Sequence, residues 1–484
     1  MRRHGPAPAL LLLLGACGGD PAVSSGGSSS SSSNGSSSGL PTPTSGSNSG
    51  SSGPAPTSSG DTGGSSEALT TAPGTSTSTS TSTSDPTTAA DTSTGSTGDD
   101  GTTGAPQDAC AGMTPSCPGA PPKQGGGGLV AIDRCAFPMH DQDTWADQAG
   151  RVDALRQALP TLALAELPHA EFNRDAVALA GVPGGVKDVA QAFRWNADDN
   201  DGTTWVPQGL TGTADASPDG EVAGRKLVLV SWYHDTKGVR ISVVDIADPA
   251  KPVYRHVLLV EPVAGDPVDF KPILVHAGGL AWVGDLLYVV HTGKGFRVFD
   301  TTALLQVATD VDSIGWDPKA RVYRGGLYKY VLPQIGAYVT KSACKPLYSS
   351  VALDRSSDPP SLVSSEYCNG SDACDEAYSG RIYRWSLDPD SGRLAGADLW
   401  PSEAHYMAQS HVQGGLARDG DFYLSSSRPA GAAGELYVLP GGGKSSTLPW
   451  VDTPEDLMRD GDLLWSLSEG TGARVVFAVP FAKL

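Results

Sequence analysis

Nine side chains in this sequence are of the types that binding and hydrolytic sites use. All nine fall where short apolar runs give way to loops: Gln208, His234, Asp235, His276, His291, Glu366, His411, Gln413 and Glu469. Two carboxylates facing each other across a glycosidic bond can serve as acid and base, or as acid and nucleophile. Glu366 with Asp235 or Glu469 is therefore a candidate hydrolytic pair, assisted by a His or Arg. The four His and two Gln instead offer donors and acceptors to a polar ligand. Asn196, Asp198, Asp199, Asn200 and Asp201 before Gly202 approximate a calcium loop. The spacing fails, because Asp201 stands where a DxDxDG loop needs Gly and no Glu follows at the required distance. A solvated acidic turn is expected there, with calcium the alternative and no other cofactor. No CxxC pair marks zinc, and no nucleophile elbow, phosphate-cradling loop or dinucleotide fingerprint is present.

The elements that must carry these residues are short strands repeated along the chain. From about residue 205, apolar runs alternate with Gly, Asp and Pro turns. One unit joins Pro207-Gln208-Gly209-Leu210 to Leu227 through Trp232 and then to Gly238 through Asp245. The next joins His276 through Leu280 to Leu286 through Val290 and Gly295 through Asp300. Later units run from Val412 through Leu439 and from Asp456 through Val479, with a divergent unit from Leu347 through Trp385 between. The runs are apolar at consecutive positions, so both strand faces are buried. Antiparallel meanders buried on both sides by copies of themselves predict an all-β, five-bladed β-propeller, with first strands starting near residues 209, 279, 348, 414 and 456. The fifth unit ends with its third strand, so its outer strand is expected from Gln191 to Trp195, opposite Arg474 to Val479.

Blade topology sorts the polar residues. The start of strand 1 and the end of strand 2 share a face with the loop between strands 2 and 3. That face collects Gln208, His276, His411 and Gln413 with His234, Asp235, Lys237, His291, Lys294, Glu366, Arg428 and Glu469. Gly278, Gly279, Gly414 and Gly415 would let a ligand approach the backbone there. The expected function is binding of an extracytoplasmic carbohydrate or protein; the alternative is a propeller-fold glycoside hydrolase or lyase.

Phe193-Arg194-Trp195-Asn196, Trp205-Val206-Pro207-Gln208-Gly209, and the stretch from His276-Ala277-Gly278-Gly279 through Gly295-Phe296-Arg297-Val298-Phe299-Asp300 resemble uncharacterised secreted bacterial propeller proteins. The resemblance covers roughly residues 170–484 and implies a fold without an activity.

Upstream lies different material. Met1-Arg2-Arg3, the run Leu10 to Leu14 and Gly15-Ala16-Cys17 have the n-region, h-region and small residues of a secretory signal. Leu14-Gly15-Ala16-Cys17 resembles the bacterial lipobox, which implies acylation of Cys17 and a membrane anchor. Gly18 follows, where the inner-membrane retention signal has Asp, favouring the outer membrane or cell surface. The expected organisation is a signal peptide over 1–16, a lipidated Cys and disordered tether over 17–107, an N-terminal extension over 108–190 and the propeller over 191–484. The tether is almost entirely Ser, Thr, Gly, Pro and Ala, with seven acids over 18–107 and no Lys or Arg. It lacks the apolar side chains needed to offset ordering, and a flexible chain of that length spans roughly 50 Å. Asp143 to Leu159 reads as one amphipathic helix ended by Pro160. Residues 108–484 carry 46 acids against 32 bases, which argues against nucleic acid as a partner. No apolar run reaches the ~20 residues of a membrane span.

Six cysteines remain: Cys110, Cys117, Cys135, Cys344, Cys368 and Cys374. In an exported protein they are expected to oxidise. Three lie upstream of the propeller and three in the divergent unit, so full oxidation requires at least one bridge between the groups. Removal of residues 108–190 is expected to leave a soluble head, and removal of 108–200 is not.

Overall fold

The computed structural model describes residues 110–119, 127–142, 145–368, 380–396, 399–427 and 433–484. The signal segment, Cys17, the tether through residue 107, Cys374 and Arg428 lie outside them.

The strands form antiparallel meanders. The first comprises Val206–Gly212, Leu227–His234, Gly238–Asp245 and Val253–Val263. The second comprises Leu280–Val283, Leu286–His291, Gly295–Asp300 and Tyr330–Thr340. The third comprises Ala352–Asp354, Ser361–Ser365, Arg381–Ser386 and Glu403–Tyr406, and the fourth Val412–Arg418, Asp421–Ser426, Glu435–Leu439 and Ser446–Pro449. The fifth comprises Pro454–Asp460, Leu463–Ser468 and Val475–Pro480, completed by the upstream strand Gln191–Arg194. The consecutive apolar pattern has the expected consequence: Gly238–Asp245 is buried at every position. A Trp–Ser bond recurs within the sheets, from Trp232 Nε1 to Ser242 Oγ (2.8 Å) and from Trp385 Nε1 to Ser364 Oγ (2.9 Å). Each satisfies an indole N–H that burial would otherwise leave unpaired. The fold is mostly β and of the β-propeller kind.

The first strands lie against one another. Asp456 Oδ2 accepts the N–H groups of Leu210 (2.9 Å) and Leu280 (3.0 Å), tying the fifth meander to the first and second. Ser349 Oγ donates to the Val412 carbonyl (3.0 Å), tying the third to the fourth. The glycines expected to admit a ligand serve this packing instead. A Cβ on Gly279 would sit 2.2 Å from the Val351 nitrogen, and one on Gly414 would sit 2.7 Å from the Glu455 carbonyl oxygen. The space a ligand would need holds the neighbouring meander's backbone.

The seam forms as expected, with Arg194 opposite Val475 and Gln191 opposite Ala478. Two features were not legible in the sequence. First, the outer strand Tyr330–Thr340 pairs antiparallel with Gly295–Asp300 and also parallel with Val253–Val263, joining the first two meanders into one sheet. Parallel pairing needs a long crossover, and residues 264–329 supply it. Second, the N-terminal extension is more than one helix. Its helix, Trp145–Ala158, buries Gln148, Val152 and Leu155. Its short strands then pair with outer strands in turn: Val130–Ala131 with the third meander, Met139–Asp141 with the second, Arg174–Asp175 with the first and Val177–Ala178 with the seam strand. Leu129 N–H also donates to the Gly442 carbonyl beside the fourth (2.7 Å). The extension covers strand edges that would otherwise be open to pairing, so the expectation of a soluble head without residues 108–190 is revised. Among the described residues no helix is long and apolar enough to cross a membrane.

Cys110–Cys135 and Cys117–Cys344 are disulfides. The second is the bridge between the two groups that parity requires. Cys368 is also disulfide-bonded.

Candidate functional site

Most of the residues expected on one functional face are engaged by neighbouring protein groups, and Gln208 and Glu469 meet each other across two meanders. Glu366 is buried at 2% exposure. It accepts from Arg381 Nε (2.8 Å), the Tyr383 hydroxyl (2.9 Å) and the Arg381 backbone N–H (3.1 Å). These bonds enclose the carboxylate, which is not presented to solvent as the expected catalytic partner of Asp235 or Glu469 would be. Glu469 accepts from Gln208 Nε2 (2.8 Å), and burial raises its pKa against the opposing effects of that bond and Arg474. Gln413 Nε2 donates in the same way to Glu455 Oε1 (3.2 Å). Asp235 is exposed in the turn between the second and third strands of the first meander. His234 Nδ1 accepts the N–H groups of Thr236 (3.1 Å) and Lys237 (3.3 Å), closing that same turn. His276 is exposed with its ring 4.5 Å from that of Tyr233, whereas His291 is buried. His411 sits at φ +57°, bonded to Ser410 Oγ (3.1 Å), and burial lowers its pKa.

The acidic stretch is solvated only in part: Asp198 and Asp201 are exposed, while Asp199 and Asn200 are buried. Ala197–Asp201 is a short helix capped by Asn196, whose Oδ1 accepts the Asp199 N–H (3.0 Å). The cap directs Asp199 inward, where it is 5% exposed. Its carboxylate accepts from Arg240 Nη2 (2.6 Å), the Tyr254 hydroxyl (2.7 Å), His256 Nε2 (3.0 Å) and Arg174 Nη1 (3.2 Å). Burial would raise its pKa, but the bond from His256, the neighbouring positive charge and the Tyr254 bond hold it well below the usual carboxylate range. Those bonds consume the carboxylate that calcium would have needed, and no group of three metal-ligating side chains occurs among the described residues. Burial and then the Arg240 charge push His256 down to about 3, so the ring is neutral at pH 7. Its Nε2–H donates to Asp199, its Nδ1 accepts from Ser242 Oγ (3.0 Å), and Ser242 Oγ accepts from the Trp232 indole. This is the Ser–His–Asp order of a nucleophilic triad. Ser242, however, is fully buried and its oxygen is already engaged by Trp232 and His256, so a substrate does not reach it.

What the cluster does is fix one wall of an open pocket of about 260 Å³. Among the described residues, those lining it include five cations, Arg174, Lys237, Arg240, Arg255 and Lys329, and no carboxylate. Trp205 and Tyr328 supply aromatic walls. The Arg240 guanidinium lies 4.5 Å over the Trp205 ring, and its Nη1 donates to the Tyr328 hydroxyl (3.3 Å). Tyr328 and Lys329 reach the site because the next residue begins the strand that pairs parallel with Val253–Val263, which carries Arg255 and His256. Of the residues expected on the functional face, Lys237 lines this pocket. The lining residues come from five separate segments, 173–174, 205, 237–240, 255–256 and 326–329, with no local signature. The one sequence signal was the cap pattern Asn196-x-x-Asp199.

No family model and no curated protein matches this chain. Among solved structures, the GH43_1 enzyme from Xanthomonas citri complexed with xylotriose is 11% identical, covering 68% of this chain and 93% of that one at a TM-score of 0.27. RS223-Beta-xylosidase is 9% identical, covering 58% and 93% at a TM-score of 0.30. BamB from Moraxella catarrhalis is 13% identical, covering 53% and 56% at a TM-score of 0.22. Likeness at this level assigns no activity.

Proposed function

We propose that this chain is an extracytoplasmic lipoprotein whose head, a five-bladed propeller, binds a glycan or protein ligand in the cationic pocket beside its first blade. The blade count is supported by the five meanders and by the bonds from Asp456 and Ser349 between their first strands. The lipobox at Leu14-Gly15-Ala16-Cys17 supports the anchor, and the two disulfides support an oxidising compartment. The observation that carries the binding reading is the pocket's charge. In a chain of net charge −19, its lining holds five cations and no carboxylate among the described residues. Carboxylates outside the lining pair with each of these cations, but Asp199 and Glu171 each serve two of them, and the excess of positive charge favours an anionic ligand. The hydrolytic reading has no comparable support, because Glu366 is enclosed by Arg381 and Tyr383. The anchor is tested by Cys17→Ser, which is expected to move the protein from the membrane fraction to the soluble one. A variant that stays with the membrane removes the lipoprotein reading. The binding site is tested by screening the full chain against glycans and exported proteins. Lys237→Gln/Tyr328→Ala is expected to abolish whatever binding the wild type shows.

A further inference from the structure

We infer that the pocket takes one carboxylated pyranose, a uronate residue, with its carboxylate among the cations and its ring against Trp205 and Tyr328. This rests on the binding reading above and names the ligand class for that site.

Charge is the first argument. Arg174 and Arg240 share the Asp199 carboxylate at 3.2 and 2.6 Å. Lys329 and Arg255 share Glu171 at 2.7 and 3.3 Å. Lys237 has Asp312 at 2.9 Å, with both side chains about half exposed. Arg174 also meets the exposed Asp198 at 4.0 Å. The five cations thus stand against four carboxylates, Asp198, Asp199, Glu171 and Asp312, and the one positive charge left over is what a further carboxylate would balance. Arg240 is 5% exposed, and its Nε has no hydrogen-bond partner. A neutral ligand would leave this imbalance in place and would have to compete with water for groups that prefer an anion.

Size and wall chemistry give the rest. About 260 Å³ lies near the lower end of small-ligand sites and has room for a single ring rather than a length of polymer. Arg240 lies over Trp205 and bonds the Tyr328 hydroxyl, but both rings stay partly exposed, and a bare oxyanion would leave that apolar surface uncovered. A pyranose presents C–H groups to Trp205 and Tyr328 and hydroxyls to Asn173, which also lines the pocket. A long polyanion is disfavoured by the remainder of the head, where acids outnumber bases.

The test is calorimetric titration of the full chain with galacturonate and glucuronate oligosaccharides, neutral galactose and glucose oligosaccharides of equal length, and sodium sulfate. A uronate oligomer is expected to bind at least tenfold more tightly than its neutral counterpart and than sulfate. Its affinity is expected to fall severalfold between 50 and 300 mM salt. Lys329→Gln and Tyr328→Ala are each expected to weaken it at least tenfold. If the neutral oligomers bind as well, or sulfate binds as tightly, the uronate inference is overturned. If the two variants still lose that binding, the pocket reading stands without it. If no uronate binds, the inference also fails. If a uronate binds and neither variant alters it, both the inference and the pocket reading fail.

Discussion

Asp199 and Asp215 are both buried carboxylates, and their surroundings drive them in opposite directions. Asp199 is held ionised by Arg240, Arg174, Tyr254 and His256, so removing its charge leaves Arg240 buried beside nothing negative. Asp199→Asn is expected to lower unfolding free energy by about 3–5 kcal/mol in urea titration. A loss below 1 kcal/mol would contradict the account of the cluster. Asp215 is 3% exposed, and burial raises its pKa to about 7. Its folded value lies above its unfolded one, so its contribution is fully present below about pH 4 and is lost as pH rises through 7. Wild type is therefore expected to lose stability relative to Asp215→Asn between pH 4 and 7, by up to about 4 kcal/mol. Parallel stability curves for the two proteins would contradict this. Neither environment was legible in the sequence. The residues around Asp199 lie 25 to 57 positions away, so Asn196–Gly202 reads as solvent-facing polar chain until the fold brings them in. Glu366 misled in the same way, since Arg381 and Tyr383 arrive only through the pairing of Ser361–Ser365 with Arg381–Ser386.

At the scale of elements the sequence was more informative. Consecutive apolar residues with Gly, Asp and Pro turns announced the meanders, and the missing outer strand of the fifth announced the seam at Gln191–Arg194. These signals are local, or follow from counting strands. The second role of Tyr330–Thr340 and the edge-pairing of the extension are not local. Strands of two residues, such as Val130–Ala131 and Val177–Ala178, carry no periodicity to read. The extension's helix docks where Gly336 has no side chain, and a Cβ there would sit 2.1 Å from the Trp145 ring. Trp145 Nε1 also donates to the Ala337 carbonyl (3.2 Å). Gly336→Ala is expected to destabilise by about 1–3 kcal/mol through overpacking. Most of that loss should disappear in a Trp145→Ala background, as a double-mutant cycle would show. Additive losses would mean that the helix is not what Gly336 accommodates. Deleting residues 108–190 is expected to give aggregated protein, because outer strand edges lose their partners. Soluble, monomeric material by gel filtration would contradict the edge-covering role.

Across the whole molecule, Cys117–Cys344 joins the extension to the loop between the second and third meanders over a sequence separation of 227 residues, and Cys110–Cys135 closes the extension on itself. The first bridge holds the covering segment against the head, where the extension also lines the pocket through Asn173 and Arg174. Function in this account lies at the side of the first meander, where extension, crossover and outer strands meet. The face carrying His276 and His411 is not where the cations gather. The most direct measurement is therefore ligand binding by two double variants, His276→Ala/His411→Ala and Lys237→Gln/Tyr328→Ala, each compared with wild type at matched thermal stability. The account predicts that the first variant retains wild-type affinity and the second loses it by at least tenfold. Loss of binding in the histidine variant, with retention in the other, would contradict it.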